Sequence, residues 1–532
     1  MPASSTRDRF ALVALALGAI AVVLVAATYK PFELDRYFIP KELVLHATAV
    51  VASIALLGAS TRATLTLVDW LLLAFVVVSG ISAASATNPW LAERAFAISF
   101  SGALLFWTAS ALRRKGLVDG LLVAVAASVV LAAATSLAQA YGVETELFSI
   151  NRAPGGTFGN RNFIAHYVAI GTPVVVLVAL TARRGLGSVL GGIGIAILSA
   201  ALVMSRSRAA WLAVLALAIV SGVLAYTTRD HWITPTTARR SFVLSVALVA
   251  GAAGAVLLPN RLNWTSESPY LESATGLVNY KEGSGHGRLV QYTNSVKMAE
   301  AHALLGVGPG NWPVVYPRYA SRNDPSLSQE DGLTSNPWPS SDWVALLSER
   351  GVIAFGLFVL TLLALLVRSV RDVRPGRGDG EHALTTVALV GTIVAVAVVG
   401  AFDAVLLIAA PTLLFWTLAG ALSPPPARAG RGIGGLRIWG TLVVLTFGVV
   451  AITRSAGAVA AMDDFSASTR VSSLSSAARL DPGNYRIRIR LAQAYLSRGD
   501  CTRAKAEARA ARALLPTAGE PRRVLAACGS RS

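Results

Sequence analysis

Residues 186–205 read LGSVLGGIGIAILSAALVMS, and after Arg206-Ser207-Arg208 residues 209–227 read AAWLAVLALAIVSGVLAYT. Each run has about the 20 residues that a helix needs to cross a bilayer, and neither run contains a charged side chain. The pair therefore predicts two membrane-spanning helices joined by a very short polar turn.

Similar apolar runs recur along all 532 residues. Only 14% of the residues are charged, whereas a soluble globular protein has about 25%. The mean hydropathy is +0.58, which also excludes intrinsic disorder. The fold class is therefore an all-α polytopic membrane protein of about 12–13 transmembrane helices, and the runs on either side of Asp403 form either two spans or a tight hairpin. The runs are 10–28, 43–60, 65–86, 92–112, 117–138, 162–181, 186–205, 209–227, 241–258, 350–368, 383–402, 404–422 and 438–457.

The 47 Lys and Arg residues exceed the 29 acidic residues, giving a net charge of +18. Basic residues of membrane proteins concentrate in cytoplasmic loops, so the excess marks topology and not nucleic-acid binding. An N-terminus in the cytoplasm places nearly every basic cluster between spans on that side. These residues are Arg7, Arg9, Arg62, Arg113, Arg114, Lys115, Arg183, Arg184, Arg239, Arg240, Arg368, Arg371, Arg374, Arg377, Arg428, Arg431 and Arg437.

This orientation predicts a protein embedded in the lipid bilayer whose C-terminal tail lies on the side opposite the cytoplasm. The expected domains are N-terminal helices (1–258), a long outer loop (259–349), C-terminal helices (350–460) and a small α-helical repeat domain (461–532). Arg206 and Arg208 lie on the side where topology calls for no positive charge. They either snorkel at the interface or face the bundle interior at a functional site.

The tail contains a short internal repeat. Ala477, Leu480 and Pro482 recur 34 residues later as Ala511, Leu514 and Pro516, and 34 residues is the period of tetratricopeptide repeats. One repeat with flanking helices is too short for a stable solenoid, so the tail is expected to dock on the membrane domain or on a partner.

The chain has two cysteines, Cys501 and Cys528, both in the tail. Their helices are expected to be antiparallel, which brings the two side chains to similar heights. They form either a disulfide, which is favoured if the tail lies in an oxidising periplasm, or two buried free thiols.

Three polar stretches on the predicted outer side carry the motifs. The first is Gly-Thr-Phe-Gly-Asn-x-Asn-Phe at 156–163, and the second is Ser-Arg at 207–208. The third runs from Gly287-Arg288 through Leu-Leu-Gly-Val-Gly-Pro-Gly-Asn-Trp at 304–312 to Ser-Asp-Trp-x-x-x-Leu-x-Glu-x-Gly at 341–351. Together, in this order, they resemble the O-antigen ligase and O-antigen polymerase superfamily over about 155–356.

The resemblance implies transfer of a glycan from an undecaprenyl-diphosphate carrier to lipid A core, to another glycan or, in some relatives, to a protein. It also implies a bacterial inner-membrane protein in which loop 259–349 is periplasmic and caps the site and the C-terminal tail is periplasmic. Arg208 and Arg288 match the arginines that the family uses on the diphosphate, and Arg206 and Arg161 are expected to help. Asn160 and Asn162 either bind substrate or cap the following span. No cofactor is implied, because the carrier linkage supplies the driving force. The six histidines are scattered, so no metal site is expected.

The general base is where the sequence departs from the family. The family's histidine, two residues before the Asp of the re-entry motif, is replaced by Ser340, which has no suitable pKa. Either Asp342 or His286 takes the proton, or the leaving diphosphate needs little base assistance, or the chain does not catalyse. The alternatives to a glycosyltransferase are a non-catalytic scaffold or sensor of polysaccharide assembly and a glycolipid flippase. The basic tail is either a solvated face or a surface for an acidic glycan or an assembly protein.

Overall fold

The computed structural model describes residues 5–28, 35–59, 65–149, 152–276, 283–328, 331–372, 380–424 and 436–529. Within these ranges the regular structure is helical, which confirms the all-α fold class. The helices are α1 (Thr6–Leu24), α2 (Asp35–Ala59), α3 (Leu67–Ala84), α4 (Pro89–Arg114), α5 (Val118–Ala140), α6 (Arg161–Thr181), α7 (Gly185–Ser205), α8 (Arg208–Thr227), α9 (Arg229–Trp232), α10 (Pro235–Leu257), α11 (Pro269–Thr275), α12 (Gly283–Ala301), α13 (Trp312–Val315), α14 (Asp342–Asp372), α15 (Gly380–Phe402), α16 (Ala409–Leu422), α17 (Leu436–Ala467), α18 (Val471–Leu480), α19 (Tyr485–Ser497), α20 (Cys501–Leu514) and α21 (Glu520–Gly529).

Each of the thirteen predicted apolar runs coincides with a helix. Eleven helices in the described part of the chain are long and apolar enough to cross a membrane, which confirms a multi-pass membrane protein. The other two are α1, whose first turn carries three charged residues, and α16, which has only 14 residues. At 1.5 Å per residue α16 spans about 21 Å, less than the ~30 Å hydrocarbon core.

The short helix α16 lies at the centre of the bundle. All of its residues are buried, and it packs against α4, α6, α2 and α15. By contrast, α8 and α10 bury only three residues each, so their apolar surfaces face outward. A helix that is apolar all round is stable when protein surrounds it, which explains why α16 needs no full membrane length. The hairpin alternative is therefore close to what is observed, since residues 403–408 join α15 directly to α16.

One end of the bundle, here called the basic end, collects the arginines that predicted the orientation. There Arg113 donates to the carbonyl of Ala421, Arg240 to that of Leu180 and Arg368 to that of Pro424, at 2.7–2.9 Å. Basic side chains at helix C-termini satisfy the last carbonyls and oppose the helix dipole. The predicted arginines at 62, 374, 377, 428 and 431 lie outside the described residues. Which compartment the basic end faces stays a prediction.

The opposite end, here called the loop end, carries residues 258–341 and the tail. The helix that returns from this loop begins at Asp342, eight residues before the predicted span at 350. Gly351, with φ of 76°, interrupts that helix and lies against the carbonyl of Leu304. Gly306, with φ of 67°, approaches the backbone at Glu349 in the same way. The hydropathy pattern did not predict the start of α14 at Asp342, because residues 342–350 include three charged side chains.

Replacing Gly351 by Ala should destabilise the protein by about 3 kcal/mol or more, because a side chain rarely adopts this φ and the new Cβ would lie 2.1 Å from the Leu304 oxygen. Gly356→Ala in the same helix is the matched control, since its Cβ would meet open space. Thermal unfolding of the purified chain compares the two. Equal melting temperatures would show that the backbone contact is unimportant.

The tail forms four antiparallel helices, α18–α21, and docks on the loop end. Trp90 donates to Asp481 at 2.7 Å, and Asn88 donates to the carbonyl of Leu514 at 3.2 Å. Arg523 forms a 2.6 Å ion pair with Asp331 of the long loop. Ala504, Ala508 and Ala511 are fully buried between helices. Assignment of the tail to the tetratricopeptide family stays a prediction.

Cys501 and Cys528 are joined by a disulfide, with their Cα atoms 5.5 Å apart. The bond closes a loop of 27 residues, so in the chain-entropy model its loss should lower the free energy of unfolding of the tail by about 3.5 kcal/mol. We expect the unreduced protein to resist maleimide labelling under denaturing conditions and to accept two labels after reduction. Cys501→Ser should accelerate proteolysis within α18–α21. Two labels without reduction would exclude the bond.

Candidate functional site

The turn between α7 and α8 presents two arginines at the loop end. Arg206 ends α7 in the left-handed conformation (φ 52°, ψ 26°), which is rare for a residue with a side chain. Its guanidinium donates to Ser273 at 2.7 Å and to Glu272 at 2.9 Å, so α11 holds it in place. Arg208 is the first residue of α8 and donates to the carbonyl of Gly276.

The start of α6 lies beside this turn. Gly159, with φ of 71°, turns the chain against the ring of Tyr37, where any side chain would clash. Asn160 then caps the helix, its side chain accepting from the N–H of Asn162 at 2.9 Å. Arg161 and Asn162 follow in the first turn of α6. Helix N-termini such as these attract anions, because unpaired N–H groups and the helix dipole point outward.

The third element is α12, which lines the same cavity as both helix starts. Arg288 and Gln291 are three residues apart and share one face of this helix. Gln291 accepts from the N–H of Ser340 at 2.6 Å, and Tyr292 donates to the carbonyl oxygens of Ser340 and Ala401 at 2.6 and 2.9 Å. The helix that carries Arg288 therefore also fixes residue 340 and the end of α15.

These elements enclose a cavity of about 580 Å³, here called the arginine cavity. Five arginines line it, whereas Asp403 is the acidic side chain that lines it among the described residues. Arg206 forms a 2.9 Å ion pair with Glu272, which lies outside the lining. The strong excess of positive charge favours an anionic ligand. The lining residues used below are Arg152, Arg161, Asn162, His166, Arg206, Ser207, Arg208, Arg288, Gln291, Ser335, Ser340 and Asp403.

Asp403 lies on the connection between α15 and α16, and its side chain is 15% exposed. Burial raises the pKa of the Asp403 carboxyl to about 6, although Arg288 and Arg152 oppose the shift. His166 lies 4.0 Å from the carboxylate through Nδ1 and 3.4 Å from the Ser207 hydroxyl through Nε2. This carboxylate is accessible, held near a histidine and able to exchange a proton near neutral pH.

Six of the nine predicted site residues line the arginine cavity: Arg161, Asn162, Arg206, Arg208, Arg288 and Ser340. Asn160 does not line the cavity, and its side chain caps the start of α6. Asp342 is also outside the lining, and its two oxygens accept from the N–H groups of Val405 and Leu406 at 2.9–3.1 Å. The geometry therefore gives Asp342 a role in holding the 403–408 connection and does not support it as the base.

His286 is exposed and does not line the cavity, although it is two residues from Arg288. The sequence analysis assigned no site role to Arg152, His166 or Asp403, which the structure places in the lining. A signal for Asp403 existed, since a single carboxylate between two apolar runs is costly without a function. No cluster of three or more metal-ligating side chains occurs in the described ranges.

Comparison with known families gives one match. Residues 193–359, which contain Arg206, Arg208, Arg288 and Ser340, match the family model described as O-antigen ligase. No curated protein matches the chain. The matched segment includes both arginines that were assigned to the diphosphate by resemblance. The chain thus carries a segment at 193–359 that matches the O-antigen ligase family, which confirms the resemblance to the O-antigen ligase and polymerase superfamily.

Proposed function

We propose that this protein is a glycosyltransferase that moves a glycan from undecaprenyl diphosphate to an acceptor hydroxyl in surface polysaccharide assembly. The observation that carries the proposal is the convergence of five arginines and two helix N-termini on one cavity, to which the segment that matches the O-antigen ligase family contributes Arg206, Arg208 and Arg288. The reaction then takes place at the loop end, on the periplasmic face of the bacterial inner membrane.

The diphosphate of the carrier fits the arginine cavity by charge and by geometry. Guanidinium groups present planar pairs of N–H donors that match phosphate oxygens. Arg208 lies at the start of α8 and Arg288 lies on α12, so the two side chains contact the diphosphate from two directions. Negative charge grows on the diphosphate as its bond to the sugar breaks, and fixed donors in a poorly hydrated cavity stabilise that charge.

The transfer step uses Asp403 as general base. The acceptor oxygen attacks the anomeric carbon, the bond between that carbon and the diphosphate oxygen breaks, and the acceptor proton passes to the Asp403 carboxylate. Undecaprenyl diphosphate leaves with the bonding electron pair. His166 is in hydrogen-bond contact with Ser207 at 3.4 Å and lies 4.0 Å from the Asp403 carboxylate, on the same wall of the cavity. Ser340, in the position of the family's histidine, contributes a polar wall and no base.

The acceptor is lipid A core or the end of another glycan, which correspond to ligation and polymerisation. The docked tail places α18–α21 beside the long loop, where the tail is accessible to polysaccharide assembly proteins. A scaffold or sensor would not need an arginine-rich cavity with an accessible carboxylate. A flippase would need charged groups along the translocation path, whereas these arginines collect at one end of the bundle.

The test is direct transfer by the purified chain in nanodiscs. The donor is the undecaprenyl-diphosphate-linked glycan extracted from cells that lack this chain, and the acceptors are lipid A core and the same glycan. We expect release of undecaprenyl diphosphate together with a larger glycan product on one acceptor. Binding of the donor without turnover on either acceptor would favour the scaffold, and no binding at all would refute the proposal.

The orientation is tested with alkaline phosphatase fused after Ser532. The positive-inside pattern predicts an active, periplasmic enzyme, because the tail lies at the loop end. A fusion after Asp372, at the basic end, should be inactive. The reverse pattern would place the arginine cavity on the cytoplasmic side and would remove the periplasmic assignment.

A further inference from the structure

A second and larger cavity adjoins the arginine cavity. It has a volume of about 1120 Å³ and is here called the wide cavity. Arg161 and Arg206 line both cavities, so the two spaces meet at these side chains. The ring of Trp264 lies 5.0 Å from the Arg161 guanidinium and 4.7 Å from that of Arg206, which fixes both arginines at the boundary.

The lining of the wide cavity combines charged, amide and aromatic groups. Glu144, Thr145 and Glu146 come from the loop after α5, and Asn263 and Trp264 from the loop after α10. Both glutamates are exposed, and neither forms an ion pair within the described ranges. Arg36 is 6% exposed, donates to the carbonyl of Glu146 and has a buried Nε without a partner in the described structure.

The chemistry of these groups indicates which part of the donor molecule the wide cavity can bind. An undecaprenyl tail needs an uncharged apolar surface that is open to lipid, whereas both loops add charged side chains to this lining. Hydroxyl-rich sugars are recognised by carboxylates, amides and guanidinium groups that donate and accept, with aromatic rings against their C–H faces. The glycan is attached to the diphosphate, so its first sugars must occupy a space that opens directly from the diphosphate site.

We propose that the wide cavity binds the sugar units of the donor that are adjacent to the diphosphate. This inference rests on the proposed function, since it takes the arginine cavity as the diphosphate site. It assigns Glu144, Glu146 and Asn263 to the sugars and leaves Arg161 and Arg206 at the junction between sugar and diphosphate. Recognition of the donor glycan then resides in the loop after α5, which lies outside the matched segment, and in the loop after α10, which lies inside it.

The experiment measures binding of two lipids to the full chain in nanodiscs. One probe is undecaprenyl diphosphate alone, and the other is the undecaprenyl-diphosphate-linked glycan from cells that lack the chain. The double substitution Glu144→Gln with Glu146→Gln should weaken binding of the glycan-linked lipid about tenfold and leave the bare lipid unchanged. Asn263→Trp, which fills the cavity, should have the same selective effect. Glu267→Gln, on the same loop but outside both cavities, is the control.

The outcomes separate the two proposals. If the unsubstituted chain binds neither lipid, the proposed function fails. If it binds both lipids and the substitutions change neither affinity, the wide cavity does not hold the donor sugars. Equal weakening for both lipids would show an effect on the arginines and would overturn the inference as well. An unchanged donor affinity with a raised KM for the acceptor would assign the cavity to the acceptor glycan instead.

Discussion

Replacing Arg208 or Arg288 by Ala is expected to lower the rate of glycan transfer by about 10²–10³-fold, the usual cost of removing one fixed donor from a developing negative charge. Both side chains line one cavity, and they reach it from α8 and α12. The loss should fall mainly on kcat, because the charge on the leaving diphosphate is largest in the transition state. Transfer by the purified chain, with equal amounts of folded protein, gives the measurement.

Two comparisons make this result specific. Arg208→Lys and Arg288→Lys keep the charge but lose the planar pair of donors, so they should recover only part of the activity. Arg371→Ala removes an exposed arginine at the basic end and should be silent. The double substitution should cost less than the product of the single losses, because both residues act on one group. Near-normal activity of either Ala variant in well-folded protein would rule out its role on the diphosphate.

Replacing Asp403 by Asn should lower transfer by about 10²–10⁴-fold, the range associated with loss of a general base. The pKa of Asp403 is raised to about 6, so the carboxylate is largely charged at pH 7 and becomes protonated as the pH falls. The rate should therefore rise with pH up to about 6 and level off above it. The pH at which the rate falls depends on the charged and titratable groups around this carboxylate. These groups are His166 of α6, Arg288 of α12, Arg152 and Asp342 of α14.

The residual activity of Asp403→Asn should no longer fall as the pH drops below about 6. Substitution of a purely structural residue would leave this pH dependence in place. Asp342→Asn is the informative comparison. It replaces one of the two accepting oxygens by an NH₂ group and so removes part of the bonding to Val405 and Leu406, which should lower the melting temperature, while the rate of any remaining transfer still falls at low pH. Asp230→Asn, exposed at the basic end, should change neither property. An unaltered pH profile in Asp403→Asn would mean that another group accepts the proton.

Much of the fold could be predicted because a bilayer imposes length and composition on every span. The run at 186–205 differs from α7 by one residue, and the basic clusters do gather at one end. The start of α14 could not be read in the same way, since Asp342, Glu349 and Arg350 are buried by protein and not by lipid. The hydrogen bonds that make their burial possible come from distant segments, and hydropathy does not register them.

The candidate site was predictable only in part. Arg208 and Arg288 were identified because motifs matched a known family, not because sequence indicated that they share a cavity. The contribution of Asp403 depends on α16 turning back into the bundle, which brings residue 403 next to His166, 237 positions earlier in the chain. The left-handed backbone of Arg206 also has no sequence signal, because that conformation is usually adopted by glycine.

The arginine cavity draws its walls from α6, α8, α12 and the 403–408 connection, so no contiguous segment of the chain contains it. A chimera that exchanged only residues 193–359 with a relative would take the arginines on α8 and α12 from one parent. The proton acceptor Asp403 and the side of the cavity formed by α6 would come from the other parent. Modular grafting of specificity should therefore fail unless both halves of the bundle are transplanted together. Evolution of new substrates in such a protein is correspondingly expected to proceed through its peripheral loops, with the shared interior retained as one unit.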